Sequence, residues 1–488
     1  MKRTSLTTAV IAGIAGVAGI SNMASAVYLN SDGLGQVLIY PYYTVNSNNQ
    51  TLLSVVNTTN AGKAVKVRFL EAYNSREVLD FNLYLSPHDV WTAAVVPSGT
   101  GAGVFSTDNS CTVPALQKSA GAIAAGKGQF STAAFDGRVA PVDGGPRDLS
   151  RTLEGYIELI EMATVTNDEN NSLSAITHSS GVPANCPQVV KAWSGGYWTQ
   201  SAGANDTGSP TGGLFGSASI INVPMGTIEG YNADAIDQFY LANGIPKHTA
   251  PESLAPSLND GTSTTSYVFA PSPTSAVPSL VTTTYSRSVD AVSSLFMADA
   301  IYNEYWTGAG TNASSEWVIT FPTKRFYVDR YTTPTAPLPP FEVAFSSANG
   351  GTSCASIGIA YYDREEGQPG GDVGFSPAPV YGNSLCYEAQ VVTFNQGSAG
   401  STILGSRLTA NISTGYPNGW AQIDLYNGNA SHILSSTGSG NQYRGLPVTG
   451  FWVGQLVNGN VGGVLSNYSG LYRHKLHRIC SSSGSSCS

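Results

Sequence analysis

Apolar and polar residues alternate along much of this chain with a period of two. Val65, Val67 and Phe69 alternate with Lys66 and Arg68. Leu79, Phe81, Leu83 and Leu85 alternate with Asp80, Asn82 and Tyr84, and Ala421, Ile423 and Leu425 with Gln422 and Asp424. Each run is the pattern of a strand with one buried face. Further β-rich runs cover Val37–Val45, Tyr156–Val165, Ser217–Val223, Trp317–Val328, Phe341–Phe345, Ile357–Tyr362, Tyr387–Phe394 and Phe451–Val457. Turns rich in Asn and Gly separate them, such as Tyr416-Pro417-Asn418-Gly419. The pattern predicts a mainly β protein of one or two antiparallel β-sandwich domains, with a few short helices and long Gly/Ser/Thr-rich loops. Helical spacing predicts helices over Tyr231–Tyr240 and Val289–Tyr305, the second lying on a sheet.

The N-terminus has a different pattern. Lys2 and Arg3 precede an apolar stretch from Ala9 to Ile20, followed by Ala24-Ser25-Ala26. A basic start, a short apolar run and small residues at a cleavage point make a secretory signal, so a mature start at Val27 is expected. No later stretch is apolar over the about 20 residues a membrane helix needs, so no transmembrane segment is expected in the mature chain. Composition divides the rest into a β-rich N-terminal domain with long loop insertions over 27–333, a Pro-rich linker over 334–340 and a C-terminal β-sandwich over 341–488. Ser98–Ser110, Gly195–Gly213 and Thr249–Ser286 are the long loops.

Six cysteines in an exported chain point to disulfides. Six allow 15 connectivities; pairing of sequence neighbours gives Cys111–Cys186, Cys354–Cys386 and Cys480–Cys487. No Cys-x-x-Cys spacing suggests a metal site. Charged residues make up only 11% of the chain and the formal net charge is -9. Phosphate binding needs clustered Lys and Arg, so nucleic acid is excluded as a partner. The one basic cluster, Arg473-His474-Lys475 with His477 and Arg478, reads as a solvated final strand.

Three segments carry a resemblance: Asn74-Ser75-Arg76-Glu77-Val78-Leu79-Asp80-Phe81, Phe321-Pro322-Thr323-Lys324 and Tyr362-Asp363-Arg364-Glu365-Glu366. Together they resemble a family of secreted proteobacterial proteins of the cell-surface type, across most of the mature chain. The resemblance implies a surface location and brings no activity and no site residues.

Candidate chemistry is sparse. There is no Gly-x-Ser-x-Gly elbow and no His-Glu-x-x-His, and the six histidines fall in no known motif. Glu158 and Glu161 are three apart on one strand and point to opposite faces, so they form no glycosidase pair by themselves; adjacent Glu365 and Glu366 diverge likewise. Leu446-Pro447-Val448-Thr449-Gly450 matches the sortase pattern but lacks the apolar span and basic tail that must follow, and reads as the start of a strand. Asp168 in its Asn- and acid-rich loop, and Asp363 with Asp372 around Gly367, Gly370 and Gly371, are candidate ligands for a structural Ca²⁺. The 25 Tyr, 16 Phe and 7 Trp are mostly core, and any that are exposed suit sugar stacking or a protein interface. The expected function is a non-enzymatic, secreted or cell-surface structural or adhesive protein. Low charge and many strand edges also suggest a homo-oligomer. One route is addition of residues 27–43 to a neighbouring copy, against pairing within its own sheet. The alternative is a carbohydrate-binding or glycoside hydrolase-like protein, with a surface glycan or other surface proteins as partners.

Overall fold

A computed structural model describes residues 26–125, 127–241, 247–272, 275–308, 312–367, 375–376, 383–395, 401–482 and 485–487. The protein is mainly β, with antiparallel sheets packed face to face and a few short helices. One sheet forms the frame. Its strands run in the order Tyr28–Leu29, Asp234–Asp237, Val37–Thr44, Glu154–Val165, Gly62–Glu71, Glu77–Leu85 and Cys111–Val113, with Thr207–Gly208 paired to Glu154–Val165. A five-stranded sheet, Thr227–Asn232, Leu214–Asn222, Asn49–Asn57, Val90–Ser98 and Gly101–Phe105, covers one face. Leu38, Tyr40, Val65, Val67, Phe69, Ile157 and Leu159 fill the space between the two with Leu53, Val55, Trp91 and Ile220. Val37, Ile39, Tyr156 and Ile160 bury the other face against the Ser288–Phe296 helix and further sheets. Alternate residues of the frame strands therefore serve two cores.

Two more sheets complete the body. A six-stranded sheet runs Phe375–Ser376, Thr409–Ser413, Ala389–Asn395, Ala313–Thr320, Thr449–Val461 and Val464–Arg473, with Ala389–Asn395 and Thr409–Ser413 parallel. A four-stranded sheet runs Gly358–Asp363, Asn418–Asp424, Ala300–Trp306 and Lys475–His477. Strands before the Pro-rich 334–340 run thus sit between strands that follow it. The run itself is held in place: the Leu338 N–H donates to Tyr327 O at 2.9 Å and the Ala336 N–H to Thr333 O at 2.9 Å.

The structure corrects the sequence reading at several elements. Residues 231–240 are not a helix. Residues 231–232 and 234–237 belong to strands Thr227–Asn232 and Asp234–Asp237 and 238–240 form a bend; a buried Glu229 and an exposed Ile228 invert the usual pattern in the first strand and conceal the alternation. The helix at 289 ends at Phe296, and Ala300–Trp306 is a strand whose Ile301 and Tyr305 reach the core. Arg325–Val328 is a short helix rather than the end of a strand, and Phe341–Phe345 forms no strand. Tertiary packing overrides local propensity at each. Val37–Thr44 is an interior strand of its own sheet, between Asp234–Asp237 and Glu154–Val165. Leu446 and Val448 are buried, which removes the sortase-like run from any enzyme's reach. The three disulfides are Cys111–Cys186, Cys354–Cys386 and Cys480–Cys487. No helix among the described residues is long and apolar enough to cross a membrane.

A substantial part of the chain's scarce charge is inside. On the frame sheet, Lys63 bonds Glu161 at 2.7 Å, Lys66 bonds Asp80 at 2.9 Å, and Arg68 bridges Glu77 at 2.6 Å and Glu158 at 3.0 Å. Glu158 and Glu161 do face opposite ways, and each is held by its own cation. Beyond the end of Gly62–Glu71, the Glu71 carboxylate accepts the N–H groups of Tyr73, Asn74 and Arg76 and a bond from Arg151 at 2.9 Å. Arg151 also bonds Asp143 at 2.9 Å. Arg76 bonds Asp329 at 3.1 Å, and Glu388 accepts Ser75 Oγ at 2.9 Å and the Arg325 N–H at 3.2 Å. Residues 75 and 76 therefore meet Arg325, Asp329 and Glu388 in one polar junction.

A buried ion that loses its partner is left desolvated and unpaired, which costs about 3–5 kcal/mol. Arg151 is the partner of both Glu71 and Asp143. The Arg151→Met variant is therefore expected to be less stable by about 3–5 kcal/mol, read as a lowered denaturant midpoint, whereas substitution of exposed Lys127 is expected to leave the midpoint unchanged within about 0.5 kcal/mol.

Candidate functional site

The four-stranded sheet has one buried and one open face. Ile301, Tyr305, Tyr361, Ala421 and Ile423 point into the core. The alternating residues must then point outward. Register places them in rows: Trp306 opposite Asn418, Glu304 opposite Trp420 and Trp420 opposite Tyr362, and Tyr302 opposite Gln422. The outward face thus gathers two Trp, two Tyr, a Glu and two side-chain amides, and it opens into a cleft of about 900 Å³. Glu304, Trp306, Tyr362, Asp363, Arg364, Glu366, Asn418, Gly419 and Trp420 line it.

Trp420 is 41% exposed, unusual for so large an apolar side chain. It is not loose. Its ring stacks on Tyr362 with centroids 4.5 Å apart and planes 12° from parallel, and Tyr302 flanks it at 6.4 Å. Trp306 meets Trp452 edge-on at 4.7 Å. These pairs fix ring positions before any ligand arrives, so little side-chain entropy remains to be lost on binding. Gly419 makes the geometry possible. A Cβ there would lie 1.8 Å from Tyr362 O and 2.8 Å from the Tyr305 hydroxyl, so no larger residue fits without moving the neighbouring strand. The Tyr305 hydroxyl donates to Tyr362 O at 3.0 Å from the core side. His474, buried against Trp317, accepts from Asn303 Nδ2 at 2.8 Å and donates through Nε2 to Val318 O at 2.7 Å. Burial holds it down to about 4 despite that bond to Val318, so it stays neutral and ties the cleft strand to the six-stranded sheet.

Carboxylates ring the aromatic floor. Asp363 Oδ1 accepts the N–H groups of Glu365 at 2.8 Å and Gly367 at 2.6 Å, which folds the 363–367 turn. Glu304 and Glu366 are exposed, and no basic side chain pairs with either among the described residues. The cleft can therefore offer flat apolar rings together with hydrogen-bond acceptors and an amide.

Of the expected calcium ligands, Asp168 and Asp363 each accept hydrogen bonds within their own turns. Asp168 Oδ2 accepts from Thr166 Oγ1 at 2.7 Å, and its loop closes on a different carboxylate. Asp206 takes the N–H groups of Glu169 at 2.6 Å, Asn170 at 3.0 Å and Ser172 at 2.9 Å. Burial raises the Asp206 carboxyl, but these donors outweigh it and hold the group below its ordinary range. The loop thus turns N–H groups, not oxygen ligands, inward. Asp363 serves its own turn and lines the cleft, while Asp372 lies outside the described residues. Among the described residues no three His, Cys, Asp or Glu side chains are grouped so as to hold a metal ion.

Sequence reasoning did not single out Glu304, Trp306 or Trp420. A signal for Trp420 existed, since it precedes the alternation Ala421, Ile423, Leu425 and so must lie on the opposite, outward face. Tyr302 and Glu304 were hidden by the helical reading of 289–305, and Trp306 directly follows it. No protein-family model, curated protein or solved structure matches this chain.

The stack makes a direct test. Gly419→Ala is expected to push the Gly358–Asp363 strand away and to cost about 1–3 kcal/mol, as overpacking does. Loss of the near-ultraviolet circular dichroism of the Trp420–Tyr362 pair in a still-folded protein checks it; an unchanged spectrum contradicts the packing.

Proposed function

We propose that the protein is an extracytoplasmic, non-enzymatic adhesive protein that binds glycan in the aromatic cleft. The observation that carries this reading is Trp420: an exposed ring held rigid by Tyr362, beside Trp306 and the exposed acceptor Glu304. Sugars present an apolar face of C–H groups and an edge of hydroxyls. A flat ring covers the first, and carboxylate and amide groups bond the second. The three disulfides fit an oxidising compartment, in keeping with the N-terminal signal pattern. A preformed cleft carried on a stiff body supports the adhesive reading.

The test is binding to an array of surface and plant or microbial glycans, repeated with Trp420→Ala. Loss of at least about tenfold in affinity, about 1.4 kcal/mol, is expected for removal of a central aromatic contact. Equal binding by both proteins excludes the cleft, and release of reducing ends from a bound glycan would replace the adhesive reading with a hydrolase.

A further inference from the structure

We infer that the glycan taken by this cleft carries positive charge, as free amino groups on its sugars, and that acidic glycans are rejected. The inference rests on the reading of the cleft as a glycan site and adds the chemical class of its ligand.

The argument begins with the sign of the lining. Three carboxylates, Glu304, Asp363 and Glu366, face one guanidinium, Arg364. Two of the three, Glu304 and Glu366, are exposed and have no cationic partner among the described residues. Several buried carboxylates of this chain are neutralised by a cation: Glu158 by Arg68, Glu161 by Lys63, Glu71 by Arg151, Asp80 by Lys66 and Asp329 by Arg76. Glu304 and Glu366 on the cleft wall have no such partner among the described residues, so their charge is open to a ligand.

The second observation is independent of charge. Trp306, Tyr362 and Trp420 all line the same cleft. Aromatic faces carry a negative quadrupole and attract an ammonium group positioned over them, tryptophan most strongly. Aromatic rings and free carboxylates together make a site for a cation, whereas neutral sugars need only the rings. The formal net charge of -9 adds a long-range preference of the same sign. A sugar with a free amine offers a C–H face for the rings and an ammonium for the carboxylates. Acetylation of that amine removes the charge and keeps the ring, and a uronic acid reverses the sign.

The experiment compares three oligosaccharides of equal length by calorimetry at low salt and mildly acidic pH: glucosamine, N-acetylglucosamine and galacturonic acid oligomers. The glucosamine oligomer is expected to bind about fivefold to tenfold more tightly than its acetylated counterpart, the sum of an exposed cation–ring contact and surface ion pairs. The difference is expected to shrink at high salt, where exposed charges are screened. It is also expected to vanish in a Glu304→Gln/Glu366→Gln variant, which keeps an oxygen acceptor at each position and loses the charge, so that the amine and acetylated oligomers bind it alike. Equal binding of the amine and acetylated forms, tighter binding of the galacturonic acid oligomer, or a preference that survives the double substitution overturns the inference and leaves the glycan site standing. Failure of all three oligomers to bind in a Trp420-dependent way overturns both.

Discussion

A carboxylate withdrawn from water must find a cation or several N–H donors, and this requirement organises the whole molecule. The chain has only 23 Lys and Arg and 32 Asp and Glu, and it places many of them inside. Arg68, Lys63 and Lys66 bind across the frame sheet, and Arg151, Glu71 and Asp143 close the bend that follows it. Buried carboxylates also join distant segments. Glu154 accepts from Tyr42 at 2.6 Å and from the Arg407 N–H at 2.8 Å, and Glu316 accepts the N–H groups of Ile403 and Leu404. Burial pushes Glu316 up to about 7 although those N–H groups work to lower it, and pushes Glu388 up to about 8 against the pull of Lys324. Such groups tolerate only one arrangement of their partners, which gives a body of many short strands a single register.

The open cleft depends on that body. Strand Ala300–Trp306 is fixed from below by Ile301 and Tyr305, and from the side by Asn303 and His474. Cys354–Cys386 links the segment that enters Gly358–Asp363 to the one that enters Ala389–Asn395. With the strands held, the outward side chains stand in rows set by register alone, and Gly419 lets two strands approach closely enough for Tyr362 and Trp420 to stack. Rigidity inside and aromatic exposure outside are two results of the same arrangement.

How much of this the sequence discloses depends on the range of the interaction. Period-two alternation in Val65–Phe69, Leu79–Leu85 and Ala421–Leu425 identifies strands because strand geometry is local. Cysteine order was enough for the disulfide pairs because each closes on its neighbour in sequence. Where a strand carries charge on a buried face, as with Lys66, Arg68 and Asp80, alternation still marks the strand but suggests that the polar face is wet. Partners such as Arg76 and Asp329 lie 253 residues apart, and nothing local announces them. The cleft was concealed for the same reason: Glu304, Tyr362 and Trp420 become neighbours only through the pairing of three strands.

Native-state hydrogen exchange, followed residue by residue at low and at high salt, tests most directly whether buried charge holds the frame. Desolvated pairs are barely screened. The account predicts that amides of Gly62–Glu71 and Glu154–Val165 are the slowest to exchange, open only with global unfolding, and keep their protection at about 1 M salt, where the Debye length is only about 3 Å. Frame amides that exchange as fast as those of the Thr265–Ser272 and Ser275–Thr284 hairpin, or that lose protection as salt rises, would contradict it.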